Sequence, residues 1–385
     1  MGKRKICVII TARPSYSRVR TALMAIQNHP DLELQLVVAA SALLDRYGST
    51  VNYIESDGFK IAEKVYMVIE GATLTSSAKT TGIGIMELAT TFDNLKPDMV
   101  CTIGDRYETM ATAIAASYMN IPLVHIQGGE VTGNIDEKVR HAITKLSDLH
   151  LVSNDDAKQR LIKMGEYESK IHITGCPSID IAKHVDESRA LDFDPCEKYG
   201  GVGKYIDYKS DYLVVMQHPV TTEFDKSKEQ AETLIQVVHE LGIPTFWFWP
   251  NPDAGSDGTS NAIRTYREEN PGNHLRFFKN MEGHDFLKLL VHSRCLIGNS
   301  SVGIRECSYL GIPVVNIGTR QNRRLRGKNV MDTNYDKSNL LNAIKTQLDH
   351  GHYQHEHLYG DGFAGEKIAD VLATAETDIK KVISY

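Results

Sequence analysis

Two parallel-sheet α/β domains are what the sequence predicts, and three observations predict them. Short apolar, β-branched runs alternate with helix-length segments along the chain, the mark of right-handed βαβ units. The alternation weakens in a charged, glycine-bearing stretch, residues 185–210 (VDESRALDFDPCEKYGGVGKYIDYKS), and then resumes; we place the interdomain linker in or near it. The length, 385 residues, allows two domains that each bury a core.

In chain order, residues 5–11 (KICVIIT) read as the first strand. The turn Ala12-Arg13-Pro14-Ser15-Tyr16-Ser17 leads into a helix that His29-Pro30 stops. Residues 32–41 and 58–65 read as strands, and 67–78, without periodicity, as a long loop of the kind that tends to be functional. A helix over 78–94 precedes the buried-strand run 99–103, which ends in Gly104-Asp105-Arg106. After a helix and a strand over 122–126 comes the loop Gln127-Gly128-Gly129-Glu130. It runs into Asp136-Glu137 and a helix carrying Arg140, His141 and Lys145. Strands over 149–153 and 170–175 and a short helix over 176–184 close the first half. In the second half we expect strands over 212–216, 244–249, 274–279, 295–297 and 313–317. Helices are expected over 226–241, 285–293, 302–310, 337–348 and 365–382.

The composition narrows the function classes. Net charge is −6 and no basic stripe is present, which argues against nucleic acid as a partner. No apolar run approaches a membrane span, and the N-terminal residues read as a strand, with no cleavage site of a secretory signal. The six cysteines are far apart with no C-x-x-C pair, as in a reduced, cytoplasmic protein. We expect no metal; the histidines at 350, 352, 355 and 357 read as a solvated turn and only secondarily as a metal site.

Asp105, Arg106, Glu130, Asp136 and Glu137 all sit where strands of a parallel sheet end, the edge at which open α/β sheets bind ligands. Carboxylates gathered there are candidates for acid/base work, although Asp105 and Asp136 could equally be helix caps. In the second half, Gly298-Asn299-Ser300-Ser301 lies between a strand and a helix carrying Arg305 and Glu306. That makes either a phosphate site at a helix N-terminus or an ordinary serine cap. Arg13 and Arg320 could reach the same phosphates, since arginine suits bidentate contacts with them. His218, directly after a strand, could bind a phosphate or stabilise developing charge.

Taken together, these segments resemble the hydrolysing UDP-N-acetylglucosamine 2-epimerases of sialic acid biosynthesis. The resemblance rests on Gly104-Asp105-Arg106, His125-Ile126-x-Gly128-Gly129-Glu130, Ile135-Asp136 with Arg140-His141, Gln217-His218-Pro219, Asp253-Ala254-Gly255-Ser256, Gly298-Asn299-Ser300-Ser301, Gly318-Thr319-Arg320-Gln321 and Tyr359-Gly360-Asp361-Gly362. It spans nearly the whole chain and implies two Rossmann-like domains facing across a cleft, a GT-B-like fold. The domains would cover 1–185 and 186–364, with a C-terminal helix, 365–385, returning to the first. The implied reaction eliminates UDP, adds water and inverts C2, giving free N-acetylmannosamine, with no cofactor. The implied catalytic set is Asp105, Arg106, Gln127, Glu130, Asp136 and Glu137. Arg13, Ser17, His218, Asn251, Ser300, Ser301, Glu306 and Arg320 would hold the UDP moiety, and Arg13, Arg320 and His218 would supply positive charge to it. A homodimer or homotetramer is also implied. The chain departs from the family pattern at Gln127, where a glutamate is common, at Ser15, where an acid is frequent, and at Ala42, where some relatives have histidine. Other readings of the same segments are the same reaction on UDP-2,4-diacetamido-2,4,6-trideoxyglucose, a nucleotide-sugar glycosyltransferase, and an inactive UDP-sugar binder.

Overall fold

The computed structural model describes residues 2–45, 48–70, 73–131, 135–250, 255–376 and 378–384. The chain forms two compact units, one of Met1–Val131, Ile135–Asp180 and Tyr359–Tyr385, the other chiefly of Ile181–Leu358.

The first unit holds β1 (Arg4–Ile10), α1 (Arg13–Asn28), β2 (Leu32–Ala39), α2 (Thr50–Ser56), β3 (Ile61–Val65), α3 (Leu74–Leu95), β4 (Met99–Ile103), α4 (Tyr107–Tyr118), β5 (Leu123–Ile126), α5 (Ile135–Leu146), β6 (Leu149–Val152), α6 (Asp155–Lys163) and β7 (Ile171–Ile173). The sheet is parallel in the order β3-β2-β1-β4-β5-β6-β7. Strand side chains alternate between faces, so β1 feeds two cores. Ile6, Val8 and Ile10 pack with Val19, Leu23 and Ile26 of α1. Cys7 and Ile9 pack with Leu88 and Phe92 of α3 and the alanines of α4. Burial on both faces is why these strands read as continuous apolar runs.

Helix α7 (Pro177–Ser188) carries the chain out of the first unit, the division falling inside it at Asp180. Then follow α8 (Pro195–Tyr199), β8 (Val202–Gly203), β9 (Leu213–Met216), α9 (Ser227–Leu241), β10 (Thr245–Phe248), α10 (Ser256–Glu269), β11 (Leu275–Phe278), α11 (Gly283–Val291), β12 (Cys295–Gly298), α12 (Ser301–Ile304), α13 (Glu306–Leu310), β13 (Val314–Ile317), β14 (Val330–Thr333) and α14 (Lys337–His350). The second sheet runs β14-β13-β12-β9-β10-β11-β8, with only β8 antiparallel. Both sheets have the doubly wound order, which reverses between β1 and β4 in one and between β9 and β12 in the other; ligands bind beyond the strand ends at such reversals.

The last helix, α15 (Ala364–Thr374), returns to the first unit and packs Ile368 and Leu372 into the core beside α1. Gly365 permits the close approach, because a Cβ there would lie 2.7 Å from the backbone of Thr21. Both ends are tied down. The buried Asp180 carboxylate accepts from the backbone N–H of Ala364 and of Gly365, each at 2.8 Å, satisfying orphan donors of the first turn. Arg4 Nη1 donates to the Leu372 and Ala375 carbonyls at 2.7 and 3.0 Å.

Several elements differ from the sequence expectations. The third strand begins only at Ile61, and α2, unread in the sequence, precedes it. Helix α3 starts at Leu74, inside the expected loop, where Thr73 and Ser76 form a reciprocal cap. The helix expected over 302–310 breaks at Arg305 (φ −100°, ψ −71°). Strands β8 and β14 were not read, and α15 stops at Thr374, eight residues short of 382.

Candidate active site

In the first unit the expected residues gather beyond β1, β4 and β5. Gly104 (φ 74°) turns the chain out of β4, and Asp105 and Arg106 follow. The turn is held by His125 of β5, whose Nε2 lies 2.9 Å from the Gly104 carbonyl and whose Nδ1 lies 3.1 Å from Thr144 Oγ1 on α5. Burial pushes the pKa of His125 down to about 3, so this ring is a neutral structural link.

Asp105 pairs with Arg140 of α5, a guanidinium 1% exposed. Arg140 also donates through Nη1 to the Glu130 carbonyl at 2.7 Å and lies 4.0 Å from the Glu137 carboxylate. One buried cation thus joins Asp105, the Glu130 backbone and the first turn of α5, where Asp136 and Glu137 sit partly exposed. Glu137 is shared with His141, 3.3 Å away. The Glu130 side chain is buried and accepts from Ser153 Oγ at 3.1 Å. Arg106 turns elsewhere: it meets the buried Glu108 carboxylate with Nε and Nη2 at 3.2 and 3.1 Å. Gln127 is buried in a left-handed conformation (φ 65°), its amide donating to Cys176 Sγ at 3.0 Å. Two residues on, Gly129 (φ 75°) is required by close approach, since a Cβ would stand 2.6 Å from the Ala157 carbonyl oxygen.

Arg13 opens α1, half-buried, its guanidinium 5.1 Å from the centre of the Tyr53 ring, while Ser17 is exposed one turn on. Arg18, not anticipated, brings Nη1 to 3.7 Å from where a Cβ on Gly104 would stand.

In the second unit, β9 and β12 end side by side and bring His218, Asn299, Ser300 and Ser301 together. Asn299 is fully buried. Its Oδ1 accepts from the His218 N–H and its Nδ2 donates to the His218 carbonyl, both at 2.8 Å. The Asn299 carbonyl accepts from Arg320 Nη1 at 3.1 Å and from Gln321 Nε2 at 2.8 Å. The His218 ring was expected to be positive. Burial and then the neighbouring Arg320 charge hold its pKa well below the usual histidine range, so it is a neutral group. Ser300 caps α12 through the Val302 N–H, and Ser301 Oγ accepts from Arg305 Nη2 at 3.0 Å. Glu306 is buried on α13, 3.8 Å from Arg305 Nε. Asn251 lies outside the described residues. The histidines at 350, 352, 355 and 357 form no metal-ligand group among the described residues; His350 stacks on Tyr353 and His357 packs edge-on against Tyr309.

Arg140 and Asn299 are the members that strand-end reasoning did not assign. Arg140 had one sequence signal, its spacing of three and four from Glu137 and Asp136, which places the three on one helix face. Asn299 had none beyond its place after β12.

Among the described residues, no helix is long and apolar enough to cross a membrane. A sequence profile of the family described as UDP-N-acetylglucosamine 2-epimerase matches residues 24–373. The chain is 34% identical over 371 residues to UDP-N,N'-diacetylbacillosamine 2-epimerase (hydrolyzing) of Legionella pneumophila, covering 96% of each. It is 31% identical over 378 residues to UDP-N-acetylglucosamine 2-epimerase of Neisseria meningitidis serogroup B, covering 97% of this chain and 96% of that one. The fold matches the crystal structure of UDP-GlcNAc 2-epimerase from Neisseria meningitidis bound to UDP-GlcNAc, with a TM-score of 0.80 and 17% identity over 96% of this chain and 99% of that one. The chain belongs to the UDP-N-acetylglucosamine 2-epimerase family.

Proposed function

We propose that this chain is a hydrolysing UDP-sugar 2-epimerase that converts a UDP-linked 2-acetamido sugar and water into UDP and the free C2 epimer. The observation that carries this reading is the Asp105–Arg140 pair at the end of β4, in a chain whose relatives include a 2-epimerase named as hydrolysing. The C2 proton is weakly acidic, so a positioned base must take it as the C1–O bond breaks. Asp105 is charge-paired with a buried arginine and takes that role. The electron pair of the C2–H bond becomes the C1–C2 double bond, and UDP leaves with the C1–O pair. Water then adds at C1 while a proton returns to C2 on the opposite face, which inverts it. Glu130, buried beside Ser153, is the second proton-transfer group. Gln127 cannot transfer a proton and acts through its shape and its contact with Cys176. Arg320, neutral His218 and the Ser300 and Ser301 hydroxyls receive the diphosphate as its charge develops.

Two substrates follow from the relatives' names, UDP-N-acetylglucosamine and a UDP-diacetamido-trideoxy sugar. Incubation of each in D2O, with no acceptor sugar present, separates the possibilities. We expect UDP release together with deuterium at C2 of the free epimer, from N-acetylglucosamine first. Turnover of the diacetamido sugar alone moves the enzyme to that substrate. UDP binding without release from either sugar overturns the hydrolytic reading.

A further inference from the structure

We propose that Asn299 is the positioning residue of the nucleotide site: it sets the place of the His218 ring by gripping that residue's peptide groups from both sides. The proposal rests on the UDP-sugar reading and adds a residue to it.

Asn299 is 0% exposed, so each of its polar groups must find a partner inside the protein. The backbone N–H continues the sheet, donating to the Met216 carbonyl at 3.2 Å. The carbonyl is taken by Arg320 and Gln321. That leaves the side-chain amide, which pairs with the N–H and the carbonyl of His218 at 2.8 Å each. An amide is the group that can accept at one atom and donate at the other in a fixed plane. Aspartate would keep the first bond and set its second oxygen against the His218 carbonyl. The strand ends are close enough for this because Gly298 has no side chain; a Cβ there would lie 2.1 Å from the Met216 carbonyl oxygen.

The consequence is a single buried side chain on which the end of β9 is fixed, with the 318–321 loop fixed on the same residue's backbone. His218 stands two residues beyond the end of β9 and in no helix; the next residues, 219–220, are irregular and lead into a 3-10 stretch, Thr221–Lys226, that is itself kinked at Glu223. Without the amide pair the His218 ring loses its reference to β12, and a neutral donor misplaced by about 1 Å is a weak one.

A double-mutant cycle read by UDP binding tests this. In the otherwise wild-type protein, Asn299→Asp and, as an uncharged second variant, Asn299→Ala should each raise the UDP dissociation constant at least tenfold. In a His218→Ala background the same substitutions should change it less than threefold, since the group they position is gone. Thermal melts of all variants identify those that are folded at the binding temperature. A purely structural asparagine would lower the melting temperature yet leave folded variants binding as wild type, and that result overturns the proposal. So does a cycle in which the two substitutions simply multiply. If the wild-type protein itself does not bind UDP, the UDP-sugar reading falls first and this proposal with it.

Discussion

Asp105 and Gln127 lie in neighbouring strand-end loops and make opposite predictions. Asp105→Asn keeps the side-chain shape but removes the charge that answers Arg140 and the base proposed for the C2 proton. We expect turnover to fall below a hundredth of wild type while UDP affinity stays within about tenfold, ~1.4 kcal/mol, because the residues proposed to receive the diphosphate belong to the second unit and Asp105 to the first. Initial rates alongside calorimetric UDP titration check both halves; near-normal turnover removes Asp105 from the proton transfer. Gln127→Glu places a carboxylate in a buried site whose resolved side-chain contact is a thiol. Burying a charge without donors is costly, so the expected result is a loss of about 1–3 kcal/mol in stability and no gain in rate. A rate increase with unchanged stability would mean that the native glutamine is a handicap for the sugar tested. Acidic residues after strands could be picked out in the sequence because charge there has no packing role. The Arg140 and Asn299 contacts could not, since their partners lie 35 and 81 positions away and meet only once the sheets are assembled.

The strands that position these side chains were legible wherever they are buried on both faces. Runs such as KICVIIT and PTFWFW mark strands, and the observed β10 falls within its run while β1 starts one residue earlier, at Arg4. What escaped were elements whose stability comes from elsewhere. Strand β8 is two exposed residues that form the sheet edge beside β11, and β14 is short and only half-buried beside β13. The break between α12 and α13 follows from the backbone of Arg305, where no glycine or proline marks it. At the junction of β9 and β12 the geometry is strict enough for a sharp prediction. Gly298 combines φ 137° with a Cβ position 2.1 Å from the Met216 carbonyl oxygen. Alanine there meets both a disfavoured backbone conformation and a main-chain clash, and the neighbouring strand cannot yield without losing its ladder. Gly298→Ala should cost at least about 3 kcal/mol, the strain and overpacking contributions together. A chemical-denaturation midpoint shift equivalent to less than 1 kcal/mol would mean that the strand ends separate easily, and would weaken the case for Asn299 as well.

Over the whole chain, the buried histidines give stability a definite pH dependence. His125, His150 and His218 are almost fully buried and burial depresses the pKa of each, His125 to about 3. The unfolded chain binds protons at these rings below the ordinary value near 6.5 and the folded chain does not, so stability rises with pH through that window and is lost on acidification. By pH 5 each ring that stays neutral withdraws on the order of 1–2 kcal/mol. Glu166 acts in the same direction but lower. Burial raises its pKa, yet hydrogen bonds from His150, Lys145 and Lys381 outweigh this and hold it at about 2. Its contribution is complete above the ordinary carboxylate value and disappears only as pH falls toward 2. Asp148 and Asp180 work against the trend, because burial raises their pKa and acid relieves that penalty. Their relief begins as pH falls through their raised values and is complete below the ordinary carboxylate value, so it offsets part of what the histidines withdraw. His172 in the first unit and His274 and His352 in the second are shifted down as well and act in the same direction as His125, His150 and His218. Calorimetric scans from pH 7.5 to 5 should therefore show falling transition temperatures. Transition temperatures that stay constant over that range would mean that the three rings titrate in the folded protein as they do in the unfolded chain, and that the neutral state inferred for His218 is wrong.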